Sequence, residues 1–140
     1  MTNKPTTKDW RNLPIERWNV TTFTEYLKGK HLEMFGIEYV PYRGWGAEQG
    51  QLGNLIGTRA KPQTEDKALV KRFIDESFAE YRPNPKYPGV SFGWCWTYKK
   101  PTWQRVKAEY LAEQKAGEQA EEETRGDANK LDMDDVLDWL

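Results

Sequence analysis

The sequence predicts a small all-α domain of four to five helices, and three observations lead to this fold class. The range 64–82, TEDKALVKRFIDESFAEYR, repeats apolar residues at the spacing of one helical face. Only 37% of the residues are apolar but 14% are aromatic, so a few large side chains must fill a small core. The range 90–98 alternates apolar residues as a strand does, but no second strand is available to pair with it.

The helix predicted over 64–82 organises the rest of the chain. Thr64 is expected to cap its first turn, and Pro83 and Pro85 are expected to end it at about Arg82. The apolar face of this helix needs packing partners from other elements. It consists of Leu69, Val70, Phe73, Ile74, Ser77, Phe78 and Tyr81.

A polar arm and a first helix precede it. Residues 1–12 predict a disordered basic arm. Thr21 or Thr22 is expected to cap this helix, which should run to about position 35 with Gly36 as its C-terminal cap. His31 lies on a semi-apolar stripe, where a lone histidine has a structural role more often than a catalytic one. The stripe is Phe23, Tyr26, Leu27, Lys30, His31 and Met34.

A loop and a second helix are predicted between positions 37 and 59. The loop 37–46, IEYVPYRGWG, combines tyrosines with Arg43, a mixture that suits stacking on bases, although packing at the core edge explains Tyr39 and Trp45 as well. The helix over 47–59 is expected to bury Leu52, Leu55 and Ile56. Together with the next helix it resembles a helix-turn-helix arrangement, with a longer connection than that motif has, and the alternative is simply two packed helices.

The range 90–98 fits both a strand and a helix capped by Ser91, and the missing partner strand favours the helix. Pro101 interrupts it, and a further helix is expected to run to about Gln119 with Trp103 and Val106 inside. The folded domain therefore covers about residues 13–112.

The C-terminal part changes character twice. Residues 113–130 lose apolar periodicity and predict an acidic flexible linker. Residues 131–140, LDMDDVLDWL, predict a short docking motif for a partner's hydrophobic groove, although folding back onto the core is an alternative. The apolar residues of the motif are Leu131, Met133, Val136, Leu137, Trp139 and Leu140.

Charge is distributed unevenly along the chain. Residues 1–110 carry 18 Lys and Arg against 12 Asp and Glu, whereas residues 111–140 carry 3 against 10. The basic body suggests a polyanionic partner. The acidic tail is expected to bind another protein or to cover the basic surface as a nucleic-acid mimic, unless it serves only solubility.

Several function classes are disfavoured. A single cysteine excludes an internal disulfide, and with a single histidine the chain lacks the ligands of a zinc-finger site. No phosphate-loop, dinucleotide-binding, hydrolase or zinc-protease signature occurs, so we predict no enzyme activity, no catalytic residue, no metal and no cofactor. No apolar run approaches the roughly 18 residues of a membrane span, which predicts a soluble cytoplasmic protein without a membrane partner.

The strongest candidate for a nucleic-acid surface is the range 94–107, WCWTYKKPTWQRVK. Cations there would neutralise phosphates, and exposed aromatic rings would stack on bases. We expect Trp96 and Trp103 inside and the cations outside, and core packing explains the aromatic residues equally well. The predicted nucleic-acid-binding residues are Arg43, Lys99, Lys100, Arg105 and Lys107.

The range 27–98 resembles small helical proteins of phages and mobile elements of Gram-positive bacteria. The resemblance rests on YLKGKHLEMFGIEYVP, QLGNLI and VKRFIDESFAEYRPNPKYPGVSFGWCWTY. It implies a protein associated with DNA replication or DNA binding, and it assigns no site residue. The acidic C-terminus is also similar to the tails of single-stranded DNA-binding proteins, whose β-barrel the body does not resemble.

These observations predict a phage-type DNA-binding or replication accessory protein in the host cytoplasm. Its body would contact DNA, with the choice between single and double strands left open. Its tail would recruit a replication, transcription or other host protein. The alternative is a protein-interaction module that inhibits or redirects a host enzyme without binding nucleic acid, with the tail as docking motif or DNA mimic.

Overall fold

A computed structural model describes the backbone of residues 5–138 and the side chains of residues 5–124. This part of the chain is helical and contains no strand, which confirms the all-α fold class. It divides into two units, Met1–Val106 and Lys107–Leu140. A short 3₁₀ turn, Ile15–Arg17, precedes the helices α1 (Val20–Phe35), α2 (Trp45–Ile56), α3 (Lys67–Glu80), α4 (Phe92–Tyr98) and α5 (Lys100–Asp138).

Helix α3 lies at the centre of the first unit, where it packs against α2, α4 and the 3₁₀ turn. The face predicted from the sequence is buried from Leu69 through Phe78, and each large apolar side chain there contributes about 1.5–3 kcal/mol by leaving water. Aromatic rings fill the space beside it: Phe73 meets Trp103 at 5.4 Å, and Trp103 meets Trp96 at 4.9 Å. The small core is therefore built from a few large side chains, as the composition requires.

The start of α1 differs from the prediction. Asn19, rather than a threonine, is the N-cap: its side-chain oxygen accepts from the Thr22 N–H at 3.0 Å. The Asn19 N–H donates to the Thr22 hydroxyl at 3.2 Å, which completes a capping box. The predicted C-terminal cap is confirmed, since Gly36 adopts φ 71°.

Thr64 caps no helix. Helix α3 begins three positions later, at Lys67, and the Thr64 hydroxyl donates to the Asn54 carbonyl at 2.9 Å, near the end of α2. It thereby satisfies a carbonyl that the end of a helix leaves without a partner. Residues 57–66 separate the two helices, which is longer than the turn of three or four residues in a helix-turn-helix motif.

The helix preferred for the range 90–98 is confirmed, and Ser91 caps it by accepting from the Trp94 N–H at 3.2 Å. Helix α5 continues beyond the predicted end at Gln119 to Asp138, so backbone helix also covers residues 113–130. Their Ala, Glu, Gln and Lys residues favour helix even without an apolar stripe. The flexibility of that range and the boundary of the folded domain at residue 112 remain predictions.

The predicted basic arm is ordered where it meets α1. Trp10 packs edge-on against Tyr26 with ring centroids 4.9 Å apart, and a Cβ on Gly29 would lie 3.3 Å from the Trp10 ring. Arg11 also forms an ion pair with Glu33. Gly29 therefore serves a packing purpose, since it leaves room for the indole.

Candidate functional site

Two of the predicted nucleic-acid contacts are neutralised by carboxylates of α3. The Arg105 guanidinium lies 3.0 Å from Glu76 and 2.9 Å from Glu80, and the Lys99 ammonium lies 3.4 Å from Glu80. These ion pairs connect the start of α5 to α3. Because the carboxylates would repel phosphate groups, this face is a poor surface for DNA.

The other predicted cations lie in different surroundings. The Lys100 ammonium lies over the Trp96 ring, 3.1 Å from its centroid, and burial lowers the pKa of Lys100. Lys107 belongs to the second unit and is half-buried. Arg43 lies at the mouth of a cleft in the first unit. The predicted cations of the first unit therefore have different partners: carboxylates for Lys99 and Arg105, the Trp96 ring for Lys100 and the Tyr42 ring for Arg43.

A cleft of about 850 Å³ lies in the first unit. One wall is the loop 37–43, which follows α1. The other wall is formed by Tyr81 at the end of α3, the proline-rich loop 83–90 and the start of α4. We call it the aromatic cleft. It is lined by His31, Ile37, Glu38, Val40, Pro41, Tyr42, Arg43, Tyr81, Asn84, Lys86, Tyr87, Pro88, Gly89, Val90, Ser91 and Trp94.

Aromatic rings run along the cleft and past its edge. Tyr81 and Trp94 have ring centroids 6.0 Å apart, Trp94 and Tyr98 5.6 Å, and Tyr98 and Tyr42 6.4 Å. Tyr98, past the edge of the cleft, is 61% exposed, and Tyr87, in the proline-rich wall, is 59% exposed. Among the residues whose side chains are described, Tyr87 and Tyr98 are the aromatic residues that remain largely exposed.

Two cations accompany these rings. The Arg43 guanidinium lies 5.2 Å from the Tyr42 centroid, and the Lys86 ammonium lies 5.5 Å from the Tyr87 centroid. Neither cation forms an ion pair within the described part of the chain. The hydrogen bond with Tyr98 and the nearby Arg43 charge lower the pKa of Tyr42. The cleft thus carries positive charge that remains available to a ligand.

The proline-rich wall is held in one conformation. The Asn84 side chain accepts from the N–H groups of Lys86 and Tyr87 at 3.0 and 2.9 Å, and the Tyr81 hydroxyl donates to the Tyr87 carbonyl at 2.6 Å. Three prolines restrict the same loop. A ligand would therefore meet a surface that is ordered before binding, which reduces the entropy lost on association.

A buried carboxylate fixes the opposite wall. Glu48 of α2 is fully buried and accepts from the Tyr39 hydroxyl and, at 2.8 Å, from the Tyr42 N–H. The Tyr39 hydroxyl in turn accepts from the Phe92 N–H at 2.8 Å. Burial raises the pKa values of both Glu48 and Tyr39. This network ties the loop after α1 to α2 and to the start of α4.

Sequence reasoning missed Glu48, although a signal was present. Glu48, Leu52 and Leu55 share one face of α2 at helical spacing, so the glutamate had to enter the core beside the two leucines. A charged residue at such a position needs buried donors. The donors to Glu48 are the Tyr39 hydroxyl and the Tyr42 N–H, and both belong to the loop after α1 rather than to α2.

His31 is a buried residue that lines the cleft. It is 1% exposed, and its ring nitrogens are 3.0 Å from the Ile37 carbonyl and 3.1 Å from the Val90 nitrogen. Burial lowers the pKa of His31. Both nitrogens are therefore used inside the protein, as the predicted structural role requires.

Other reactive groups are buried or dispersed. Burial raises the pKa of Cys95 to about 12, so its thiol is protonated at neutral pH. Among the described residues there is no group of three or more His, Cys, Asp or Glu side chains placed to hold a metal ion. The predicted docking residues Leu131, Met133, Val136, Leu137, Trp139 and Leu140 lie outside the residues whose side chains are described.

No protein-family model, curated protein or solved structure matches this chain. Within residues 5–138, no helix combines the length and the apolar character needed to cross a membrane.

Proposed function

We propose that the protein binds single-stranded DNA in the aromatic cleft. The observation that carries this proposal is that two tyrosines of the cleft, the partly exposed Tyr42 and the exposed Tyr87, each have a cation beside them without a carboxylate partner. These cations are Arg43 beside Tyr42 and Lys86 beside Tyr87. Rings stack on bases, and cations neutralise phosphates. A single strand needs both kinds of group within one cleft.

The shape of the cleft favours a single strand over a duplex. Bases in a duplex are stacked on each other, so their faces are not accessible to Tyr87 or Tyr98. Arg105 and Lys99, which a duplex backbone could otherwise contact, are paired with carboxylates of α3. Stacking in a preformed cleft is the interaction that this surface provides best.

The proposal predicts a modest dependence on salt. Arg43 and Lys86 supply two phosphate contacts, and each phosphate neutralised on a single strand adds about 0.7 to the slope of log K against log salt. Replacing either residue with alanine should reduce the slope by roughly that amount. Arg59→Ala is the matched control, because Arg59 is exposed but lies outside the cleft.

Fluorescence anisotropy of labelled single- and double-stranded oligonucleotides, at two salt concentrations, tests the proposal. The decisive variants are Tyr87→Phe, which keeps the ring, and Tyr87→Leu, which removes it. Because stacking contributes about 1–3 kcal/mol per base, Tyr87→Leu should weaken single-strand binding roughly 5- to 150-fold while Tyr87→Phe has little effect. Equal affinities of the two variants would refute stacking at Tyr87, and no binding at low salt would refute the function.

One observation favours a second candidate, a cleft that docks a peptide. Val40 is 74% exposed at the cleft, and Ile37 is also exposed. Aliphatic groups add nothing to base stacking but suit an apolar peptide side chain. Val40→Ser should leave the affinity for DNA unchanged, whereas it should strongly reduce the affinity for a peptide. The effect of Val40→Ser therefore distinguishes DNA binding from peptide binding.

A role in phage or mobile-element DNA replication extends the proposal. Its support is the resemblance of residues 27–98 together with the acidic, apolar C-terminal sequence 131–140, which suits recruitment of a replication or transcription protein. Deleting residues 131–140 should abolish capture of that partner and leave the contacts between strand and cleft intact. Pull-down with and without the deletion, in parallel with anisotropy, separates the two activities.

A further inference from the structure

The imidazole of His31 connects the two walls of the aromatic cleft. Its Nδ1 lies 3.0 Å from the carbonyl oxygen of Ile37 on one wall, and its Nε2 lies 3.1 Å from the backbone nitrogen of Val90 on the other. The Val90 N–H can only donate, so Nε2 accepts and Nδ1 carries the proton that is donated to Ile37. One neutral ring therefore satisfies one backbone group on each wall.

The surroundings of the ring restrict its movement. A Cβ on Gly89 would lie 2.6 Å from Nε2, so only glycine allows the Val90 wall to come this close. Phe35, Tyr39 and Phe78 surround the ring with centroid distances of 4.8, 5.4 and 6.1 Å. The separation of the walls at this point is fixed by the histidine and its two hydrogen bonds.

We propose that His31 is a positioning residue of the aromatic cleft and that its protonation releases the wall that contains Val90. Once protonated, Nε2 carries a hydrogen and faces the Val90 N–H, so two donors oppose each other without an acceptor. The bond to Ile37 persists, because Nδ1 donates in both states. The inference rests on the proposed function only for its effect on the ligand, since the movement of the wall is a property of the protein alone.

The groups around the ring do little to stabilise a positive charge. Burial lowers the pKa of His31, and the Ile37 carbonyl raises it by less. The loop after α1 contributes Tyr39, whose hydroxyl is engaged by Glu48; α3 contributes the apolar Phe78, and the proline-rich wall contributes backbone. The charged side chains that line the cleft itself are Glu38, Arg43 and Lys86.

The sign of the effect distinguishes it from simple electrostatics. A positive charge beneath the cleft would by Coulomb attraction strengthen the binding of an anionic strand. Release of the wall has the opposite effect. One pH unit below the pKa of His31 only about one molecule in ten keeps the neutral ring, so the affinity for single-stranded DNA should be about tenfold weaker.

Nuclear magnetic resonance of the full-length protein without DNA tests the positioning role. The scalar coupling across the N–H···N bond between Val90 and His31 should be present at pH 7.5 and disappear when the ring signals show protonation. The amide shifts of Tyr87 and Val90 should move with the same midpoint. A coupling that survives protonation, or a ring that stays neutral until the protein unfolds, would overturn the proposal.

Two variants complete the test. His31→Gln keeps one donor and one acceptor but does not titrate, so its cleft signals and its DNA affinity should not change with pH over the wild-type transition. His31→Phe keeps a ring but has neither bond, so its Val90 amide should be free of the coupling at every pH. DNA binding with the same pH dependence in wild type and His31→Gln would refute the positioning role. Loss of the coupling in a protein that never binds DNA would refute only the proposed function.

Discussion

The hydroxyl of Tyr39 offers the most informative test of the structure, because a single oxygen connects three elements. It donates to Glu48 of α2 and accepts from the Phe92 N–H at the start of α4. Tyr39→Phe removes this oxygen and keeps the ring, so no large cavity forms. Two costs follow: a hydrogen bond to a charged group, about 1.5–3 kcal/mol, and a buried N–H without a partner, about 1–3 kcal/mol.

We therefore expect Tyr39→Phe to lower the free energy of unfolding by about 3 kcal/mol. With a urea m-value of about 2 kcal/mol/M, the midpoint should fall by roughly 1.5 M. Tryptophan fluorescence is the suitable signal, because six of the seven tryptophans lie in residues 1–106. Tyr87→Phe is the matched control, since its exposed ring lies in the cleft. A change of less than about 0.5 kcal/mol in Tyr39→Phe, similar to surface substitutions, would refute the network.

Four further predictions address separate features. Gly89→Ala should destabilise the protein by about 1–3 kcal/mol in urea denaturation, because the added methyl group overlaps the ring of His31. Ser77→Ala should change stability by less than about 1 kcal/mol, because the buried hydroxyl has no oxygen or nitrogen partner and its contact with the Cys95 thiol is only a weak hydrogen bond. Glu80→Gln should cost less than about 1 kcal/mol, since its ion pairs are partly exposed, and should strengthen any DNA contact at Lys99. Because the pKa of His31 is lowered in the folded protein, the unfolded chain takes up a proton at a higher pH than the folded protein does. The free energy of unfolding should therefore fall as the pH drops below about 6.5. His31→Gln should lack that fall, and subtracting its pH profile removes the opposite contribution of Glu48, whose pKa is raised.

Much of the helical framework could be predicted because its signals are local. The stripe from Leu69 to Phe78 specifies one face of α3, Gly36 supplies the left-handed cap of α1, and Ser91 caps α4. Each of these features depends on residues within a few positions of one another. At the start of α1 the predicted cap was wrong because a competing local group, Asn19, is the N-cap in place of Thr21 or Thr22.

The candidate site depended on contacts between distant positions, which the sequence pattern does not encode. The sequence predicted Lys99 and Arg105 as nucleic-acid-binding residues, but in the folded protein α3 brings Glu76 and Glu80 into ion pairs with them. Conversely, Lys86 is not among the nucleic-acid-binding residues predicted from the sequence, yet it lies in the wall of the cleft. Charge in a sequence becomes available to a ligand only where folding leaves it without an opposite charge.

By itself, the sequence determined the helical class, the faces that enter the core and the uneven distribution of charge. Periodicity, caps and composition act over short distances, so they can be recognised without a structure. Only the tertiary structure decided which aromatic rings remain exposed and which cations stay free. It also decided that Glu48 fixes one wall of the cleft and that His31 connects both walls. Those outcomes depend on burial and hydrogen-bond partners supplied by remote segments, and they exist only when the helices are packed together.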